Sequence, residues 1–181
     1  MKKVVISIIL VLILASCKKA ENVETDKNQA ELKETYDVNF NMVVPKDDVF
    51  QLYYTVDGTI VFGDDRSVKS LIKGSDKPQD VLFKLPVDVL PTQIRLDFGE
   101  NSEQGNIVIN TMKLKYLNKS YEKTFSETER LSHYFYPLDT QVKFHDDTHT
   151  VELLHPKGLL NDPLMWTNQL LSEEMVKLYK K

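Results

Sequence analysis

The chain has 181 residues, of which 41% are hydrophobic and 28% charged, a balance typical of a globular domain with a solvated surface. This length accommodates one ordinary domain and is short for two. The 23 basic and 27 acidic residues give a formal net charge of −4, which argues against nucleic acid or a polybasic lipid contact as the main partner.

Residues 1–17 have the pattern of an export signal. Lys2 and Lys3 are positive, and Val4–Leu14 is an apolar run of 11 residues. A membrane-spanning helix needs about 20 apolar residues, so this run has the length of a signal-peptide core.

The apolar run ends in the sequence LASC, whose last residue is Cys17. This sequence resembles the lipobox of bacterial lipoproteins, in which the cysteine is linked to diacylglycerol and becomes the N-terminus after cleavage. The resemblance implies a membrane-anchored envelope protein without disulfides, because Cys17 is the only cysteine. Lys18 is not Asp, the usual inner-membrane retention signal in enteric-type lipoproteins, so the resemblance favours the outer membrane. A plain signal peptide with an incidental cysteine and a short membrane anchor are the alternatives.

Residues 18–35, with the sequence KKAENVETDKNQAELKET, predict a flexible tether. The segment is dense in charged and amide side chains and has no periodic apolar face, so it cannot bury enough surface to order itself. Such a tether would hold the folded domain away from the lipid.

Alternation of apolar and polar residues predicts short strands from residue 36 onward. The clearest is Ile94–Phe98, which is followed by a polar loop and Ile107–Ile109, and we expect the other strands to pack against this pair. The in-phase apolar set then shifts by one residue, which predicts a bulge at Asn110-Thr111. The remaining predicted strands are Tyr36–Val44, Val49–Val56, Thr59–Phe62, Val81–Leu85, a strand around Phe125, Tyr134–Tyr136, Val142–Phe144 and Val151–Leu154.

Turn residues predict two hairpins and a loop. Asp57-Gly58 predicts a tight turn that pairs Val49–Val56 with Thr59–Phe62. Residues 63–78 lack a pattern and predict a long loop. Asp146–Thr148 predicts the turn of the last hairpin.

The spacing of apolar residues changes from that of a strand to that of a helix near the C-terminus. Asp162 suits a helix N-cap and Pro163 a first helical residue, and apolar residues follow at helical spacing. Residues 161–181 therefore predict a helix packed on or beside the sandwich, with Trp166 as an anchor onto it.

About eight or nine short strands without βαβ alternation predict a mainly β fold, an antiparallel β-sandwich over residues 36–160 with a C-terminal helix. The succession FQLYYTVDG, VLFKLP, IRLDFG and IVINTMKLKY is similar to jelly-roll domains that accompany bacterial cell-envelope and carbohydrate proteins. Those domains are like carbohydrate-binding modules in fold. The resemblance implies a jelly-roll-like sandwich and raises sugar binding, but it identifies no binding residue.

Consecutive aromatic residues are the first candidate binding feature. Tyr134, Phe135 and Tyr136 adjoin, as do Tyr53 and Tyr54. Successive strand side chains point to opposite faces, so at least one ring of the triplet should line the outer face or a cleft. Flat rings beside polar groups suit saccharide recognition, and we predict Tyr134, Tyr136 and Tyr53 as ligand-binding residues. The alternative is that both faces are covered.

Arg95 and Asp97 are the second candidate, because they share the face opposite Ile94 and Leu96. They are placed to grip a polar group of a ligand. The alternative is that they pair with each other or with charges across the strand.

Metal-binding patterns are weak. His145 and His149 flank two acids, but the setting is a turn rather than the helix of a zinc-protease motif. Asp57, Asp64 and Asp65 lack the spacing of a calcium loop and fit turn-forming acids. The sequence therefore predicts no metal and no cofactor, with a structural calcium ion as the unsupported alternative.

Catalytic signatures are missing from the sequence, which holds no G-x-S-x-G, no P-loop and no thiol left after lipidation. We therefore expect a lipid-anchored envelope protein, not an enzyme, whose sandwich binds a glycan or glycoconjugate. One alternative is an accessory subunit of an envelope complex that binds a protein partner through the C-terminal helix. Another is a small hydrolase, because the separation of acidic pairs is a three-dimensional quantity.

Overall fold

The computed structural model describes residues 34–158 and 160–180 of the chain. The predicted signal peptide, Cys17 and residues 18–33 of the predicted tether lie outside the described residues. Within the described part, no helix has the length and apolar character needed to cross a membrane.

The described residues are mainly β, and the predicted fold class is confirmed: two antiparallel sheets pack as a β-sandwich, with one helix near the C-terminus. In chain order the elements are β1 (Tyr36–Val43), β2 (Asp48–Thr55), β3 (Ser67–Ile72), β4 (Gln79–Lys84), β5 (Gln93–Asp97), β6 (Ile107–Tyr116), β7 (Lys119–Thr124), a 3-10 turn (Leu131–His133), β8 (Phe135–Pro137), β9 (Val142–His145), β10 (Thr150–Leu153), β11 (Leu164–Thr167) and α1 (Gln169–Lys177).

Distant strands pair in a nested order. Sheet A has the order β4-β1-β6-β10-β9, and β7 also pairs with β6. Sheet B has the order β3-β2-β5-β11-β8. β1 pairs with β6 in sheet A and β2 pairs with β5 in sheet B, so the β1–β2 and β5–β6 connections both cross between the sheets. The chain also enters sheet A between these crossings, because β4 pairs with β1. These crossings join the two sheets around one core.

The core fills the space between the sheets. Along β1, every second side chain from Tyr36 to Met42 is completely buried. Ile94 and Leu96 enter the core from sheet B, and Ile107 and Ile109 enter it from sheet A. The two strands predicted as a central pair therefore face each other across the core instead of sharing backbone hydrogen bonds. Each such aliphatic side chain contributes about 1.5–3 kcal/mol of burial free energy.

The predicted bulge at Asn110-Thr111 is present. Asn41 pairs with Thr111 and Met42 pairs with Ile109, so Asn110 is the extra residue on β6. Its side-chain amide donates to Asn41 Oδ1 over 3.0 Å. The extra residue restores the phase, so that the apolar side chains on both sides of it stay in the core.

The partner of β2 differs from the prediction. β3 pairs with β2, whereas residues 59–62 form no strand and belong to a loop that follows the Asp57-Gly58 turn. As an edge strand β3 has one neighbour, and among its residues only Ile72 is buried. Its sequence therefore lacks the alternation that marks a half-buried strand. β7 ends at Thr124, beside Phe125, where the sequence predicts a strand. Its bounds are not predicted, because its six residues are polar or only partly buried.

The C-terminal helix is confirmed, but it begins later than predicted. Asn168 caps it, and its side chain accepts a hydrogen bond from the Leu171 backbone over 3.1 Å. Leu164–Thr167, predicted as helical, is strand β11 and pairs with β5 on one side and β8 on the other. Two ladders of backbone hydrogen bonds outweigh the helix-start signal of Asp162 and Pro163.

One end of the sandwich is closed by α1. Its apolar residues Leu171, Met175 and Leu178 are buried in the core. The Tyr36 hydroxyl donates to the Met175 carbonyl over 3.4 Å, and the Ser172 hydroxyl donates to the Thr92 carbonyl over 2.7 Å. The apolar face of the helix is thus part of the domain core.

Candidate functional site

Four side chains lie in register across the outer face of sheet B. Tyr53 on β2 is opposite Arg95 on β5, Arg95 is opposite Trp166 on β11, and Trp166 is opposite Tyr136 on β8. We call these four residues the cross-strand row. The residues that precede or follow them on their strands point into the core, including Leu52, Leu96, Met165 and Phe135.

Arg95 and Asp97 form a bidentate ion pair at the centre of this face. Arg95 donates from Nε to Asp97 Oδ1 over 2.7 Å and from Nη2 to Oδ2 over 2.6 Å. The two side chains are only 22% and 13% exposed. The guanidinium carbon of Arg95 lies 4.1 Å from the ring centroid of Tyr53 and 5.6 Å from that of Phe62. Charge-assisted, two-point bonding and aromatic contact together fix the plane of the guanidinium.

Burial determines the protonation behaviour of this pair. It raises the pKa of the Asp97 carboxyl, and the hydrogen bonds and charge of Arg95 offset only part of that rise. Burial also acts to lower the pKa of Arg95, but the bonds and charge of Asp97 outweigh it and raise that pKa. Each partner therefore depends on the other to remain charged in this place.

One end of the row is aromatic and apolar. The rings of Tyr136 and Trp166 lie 6.1 Å apart at an interplanar angle of 51°, and the Tyr136 side chain is 51% exposed. Beside them, a small pocket of about 210 Å³ is lined by Ile60, Phe62, Arg95 and Trp166. This end offers a flat, partly exposed aromatic surface beside an apolar recess.

The other end of the row opens into a polar groove of about 520 Å³. Tyr53 and Arg95 form part of its wall, and the Tyr53 hydroxyl lies 3.4 Å from Asp64 Oδ1. The charged side chains that line the groove are Asp48, Asp64, Asp97, Glu100 and Asp162, together with Lys69 and Arg95.

The structure brings together most of the residues predicted for binding. Tyr53, Arg95, Asp97 and Tyr136 share the outer face of sheet B. Tyr134 does not belong to this face, which corrects its grouping with Tyr136. It is 3% exposed because it ends a 3-10 turn just before β8, and its hydroxyl donates to a Glu129 carboxylate oxygen.

Sequence reasoning missed Trp166 and Phe62. The sequence predicts Trp166 in a helix, although Leu164–Thr167 contains an aromatic and a β-branched residue, which favour strands. The sequence predicts Phe62 in a strand, whereas it lies in the loop after β2 and covers Arg95. No sequence signal marks that contact.

The acidic and histidine motifs have structural partners. His145 Nε2 lies 2.6 Å from Glu152 Oε2 across the β9–β10 hairpin, whose turn is the predicted one. Asp57 accepts hydrogen bonds from the backbone and hydroxyl of Thr59. Among the described residues, no group of three or more His, Cys, Asp or Glu side chains is arranged to hold a metal ion.

The outer face of sheet B combines an aromatic end, a bidentate ion pair and a polar groove in one line. Such a surface can hold a ligand that has both apolar faces and polar edges. No family model, curated protein or solved structure matches the chain.

Proposed function

We propose that this chain is a lipid-anchored protein of the cell envelope whose sandwich binds a glycan or glycoconjugate on the outer face of sheet B without transforming it. The lipid anchor rests on the lipobox that ends at Cys17, and the same resemblance, with Lys18 after the cysteine, favours the outer membrane. The glycan proposal rests on the cross-strand row.

The register of the row is the observation that carries the glycan proposal. A sugar ring presents C–H groups on its faces and hydroxyls at its edge. Partly exposed rings such as Tyr136 and Trp166 can stack on the C–H faces of the sugar. The adjoining Arg95 and polar groove can form hydrogen bonds with its hydroxyls. Arg95 has five N–H donors, of which Asp97 takes two.

The bonding of Asp97 supports a binding role over hydrolysis. A glycosidase needs one carboxyl group that gives a proton and a second that acts as base or nucleophile. Burial raises the pKa of Asp97, and the charge of Asp162 adds to that rise. By pKa alone, Asp97 and Asp162 would fit the two roles that a glycosidase needs. However, both oxygens of Asp97 accept hydrogen bonds from Arg95. The two-point bond with Arg95 favours the ionised form of Asp97, which carries no proton to deliver to a substrate.

A protein partner is the second candidate, and an exposed loop favours it. Ile60 and Val61 are 60% and 80% exposed beside the apolar end of the row. Exposed apolar side chains in a group mark interaction surfaces more often than single ones do. The helix α1 gives this candidate less support than the sequence suggested, because its apolar face is used inside the domain.

A glycan array with a chain that begins at Lys18, which keeps every described residue, tests the glycan proposal. We expect Tyr136→Ala and Trp166→Ala each to lower the affinity for the bound glycan about tenfold, the effect of losing about 1.4 kcal/mol of ring stacking. Leu71→Ala is the matched control, because Leu71 is an 85% exposed apolar residue on the far edge strand of the same sheet. Unchanged binding in both ring variants, or no bound glycan, would overturn the proposal. Shorter oligosaccharides recovered after incubation would instead favour the hydrolase.

A further inference from the structure

Arg95 is shared by two compartments of different chemistry on the outer face of sheet B. It lines the polar groove of about 520 Å³ and also the apolar pocket of about 210 Å³. In the apolar pocket the other three lining residues, Ile60, Phe62 and Trp166, contribute apolar or aromatic surface. A ligand that fills both compartments must place a small apolar substituent directly beside a hydrogen-bonding group.

We propose that the bound glycan is built of 2-acetamido sugars, with the methyl group of one acetamido substituent in the apolar pocket and its carbonyl oxygen accepting a hydrogen bond from Arg95. This inference rests on the proposed glycan-binding function and specifies its ligand.

The fixed orientation of Arg95 is the first support. Asp97 takes its Nε proton and one Nη2 proton, which leaves three N–H donors. The guanidinium lies against the rings of Tyr53 and Phe62, so these remaining donors point in set directions. A planar acceptor such as an amide carbonyl suits donors held in one plane better than a freely rotating hydroxyl does.

The apolar pocket is the second support. An acetamido group has a methyl, a carbonyl and an N–H within one small plane, so it can meet the apolar wall and Arg95 at the same time. A sugar with a hydroxyl in that position leaves Ile60 and Phe62 without an apolar partner. Loss of a small apolar group from a pocket of this kind lowers affinity by about tenfold or more.

The charges that line the polar groove limit the class of sugar further. Five carboxylates line the groove against two cations, and one of those cations, Arg95, is already paired with Asp97. An acidic sugar would bring another negative charge to this surface at a cost. The substituted sugar is therefore neutral.

Calorimetric titration with tetra-N-acetylchitotetraose and cellotetraose tests the inference. The two neutral oligosaccharides share the β-1,4 backbone and differ in the acetamido group or hydroxyl at each C2. We expect the chain that begins at Lys18 to prefer tetra-N-acetylchitotetraose by about tenfold. Phe62→Ala and Ile60→Asn should each reduce this preference to about twofold. Val61→Asn, the control next to both, should keep it, because Val61 is exposed and does not line the pocket.

Separate outcomes overturn the inference and the function on which it rests. Equal affinities for the two oligosaccharides, or a preference that survives both pocket variants, would overturn the acetamido assignment. The glycan proposal would then stand if Tyr136→Ala still weakened binding. No binding of either oligosaccharide, together with a silent glycan array, would overturn both.

Discussion

Arg95 donates to both carboxylate oxygens of Asp97, two residues further along the same strand, over 2.7 and 2.6 Å. Side chains two apart on a strand share a face, and here that face is covered by the rings of Tyr53 and Phe62. The Arg95–Asp97 ion pair lies on the outer face of sheet B, but these rings shield it from solvent. It links the stability of this sheet to the shape of the candidate site.

The effects of removing the two members of the pair on stability should not add. Arg95→Met leaves the Asp97 carboxylate buried without its partner, and we expect the free energy of unfolding to fall by about 2–4 kcal/mol. The double variant Arg95→Met/Asp97→Leu should lose less than the sum of the two single changes, because no unpaired charge remains. Urea denaturation of the three variants measures the coupling. Losses that simply add would show that the two residues do not depend on each other.

The two tyrosines of the YFY triplet should differ in their effect on stability. Tyr134 is 3% exposed, so Tyr134→Ala removes a core ring and should cost about 3–5 kcal/mol. Tyr136 is 51% exposed, and Tyr136→Ala should change the free energy of unfolding by about 1 kcal/mol or less. Denaturant unfolding of both variants provides the comparison. Similar losses would contradict the placement of Tyr134 in the core.

The hydrogen bond from Tyr134 to Glu129 should make stability depend on pH at the acid end. This bond, the largest cause, holds the pKa of Glu129 below its ordinary value of 4.5. Its contribution to stability is therefore complete above about pH 4.5 and is lost as the pH falls through the lowered pKa. Tyr134→Phe removes the bond, so urea unfolding between pH 3 and 6 should become less dependent on pH. An unchanged acid limb would contradict this role.

The same tyrosine should contribute at the alkaline end with the opposite sign. Burial and then the bond to Glu129 raise the pKa of Tyr134 from 10.0 to about 12. The unfolded chain releases this proton first, so stability is complete below pH 10 and falls as the pH rises toward 12. Tyr36 should add to this loss, because burial raises its pKa as well. Urea unfolding between pH 9 and 12 measures the slope, and a flat profile would show that neither tyrosine is held protonated by the fold.

Neighbouring residues of β6 should respond differently to a charge. Ile107 is completely buried, and Ile107→Asp should abolish cooperative unfolding because an unpaired carboxylate enters the core. Val108 points to the opposite face of sheet A and is only partly buried, so Val108→Asp should leave a cooperative transition. Thermal unfolding followed by circular dichroism separates the two. A normal transition in Ile107→Asp would place this strand at the periphery.

Cys17→Ala tests the lipid anchor. If the lipobox is used, this change removes the acceptor sulfur, so we expect no incorporation of labelled fatty acid and release of the protein from the membrane fraction. The same chain with Cys17 unchanged is the control. Continued pelleting of the variant with membranes in high salt would contradict lipidation as the anchor.

The sequence by itself determined the fold class and several local features. Where one face of a strand is buried, as on β1 and β5, the apolar residues must alternate, and this pattern is visible without the structure. The shift of phase after Ile109 likewise required an extra residue, and Asn110 supplies it. The alternation does not predict β3, and it indicates β7 only through Phe125 next to its end, because few side chains of these two strands are buried.

Only the tertiary structure decided which residues share the candidate site. Tyr53, Arg95, Tyr136 and Trp166 are spread over 114 positions of the chain, and their alignment follows from the pairing of β2, β5, β11 and β8. A slip of one residue in any of these pairings would turn a side chain from the outer face into the core. The same pairings explain why Leu164–Thr167 forms a strand, although the sequence predicts the start of a helix there. Cross-strand register depends on contacts between distant segments, which local sequence patterns do not encode.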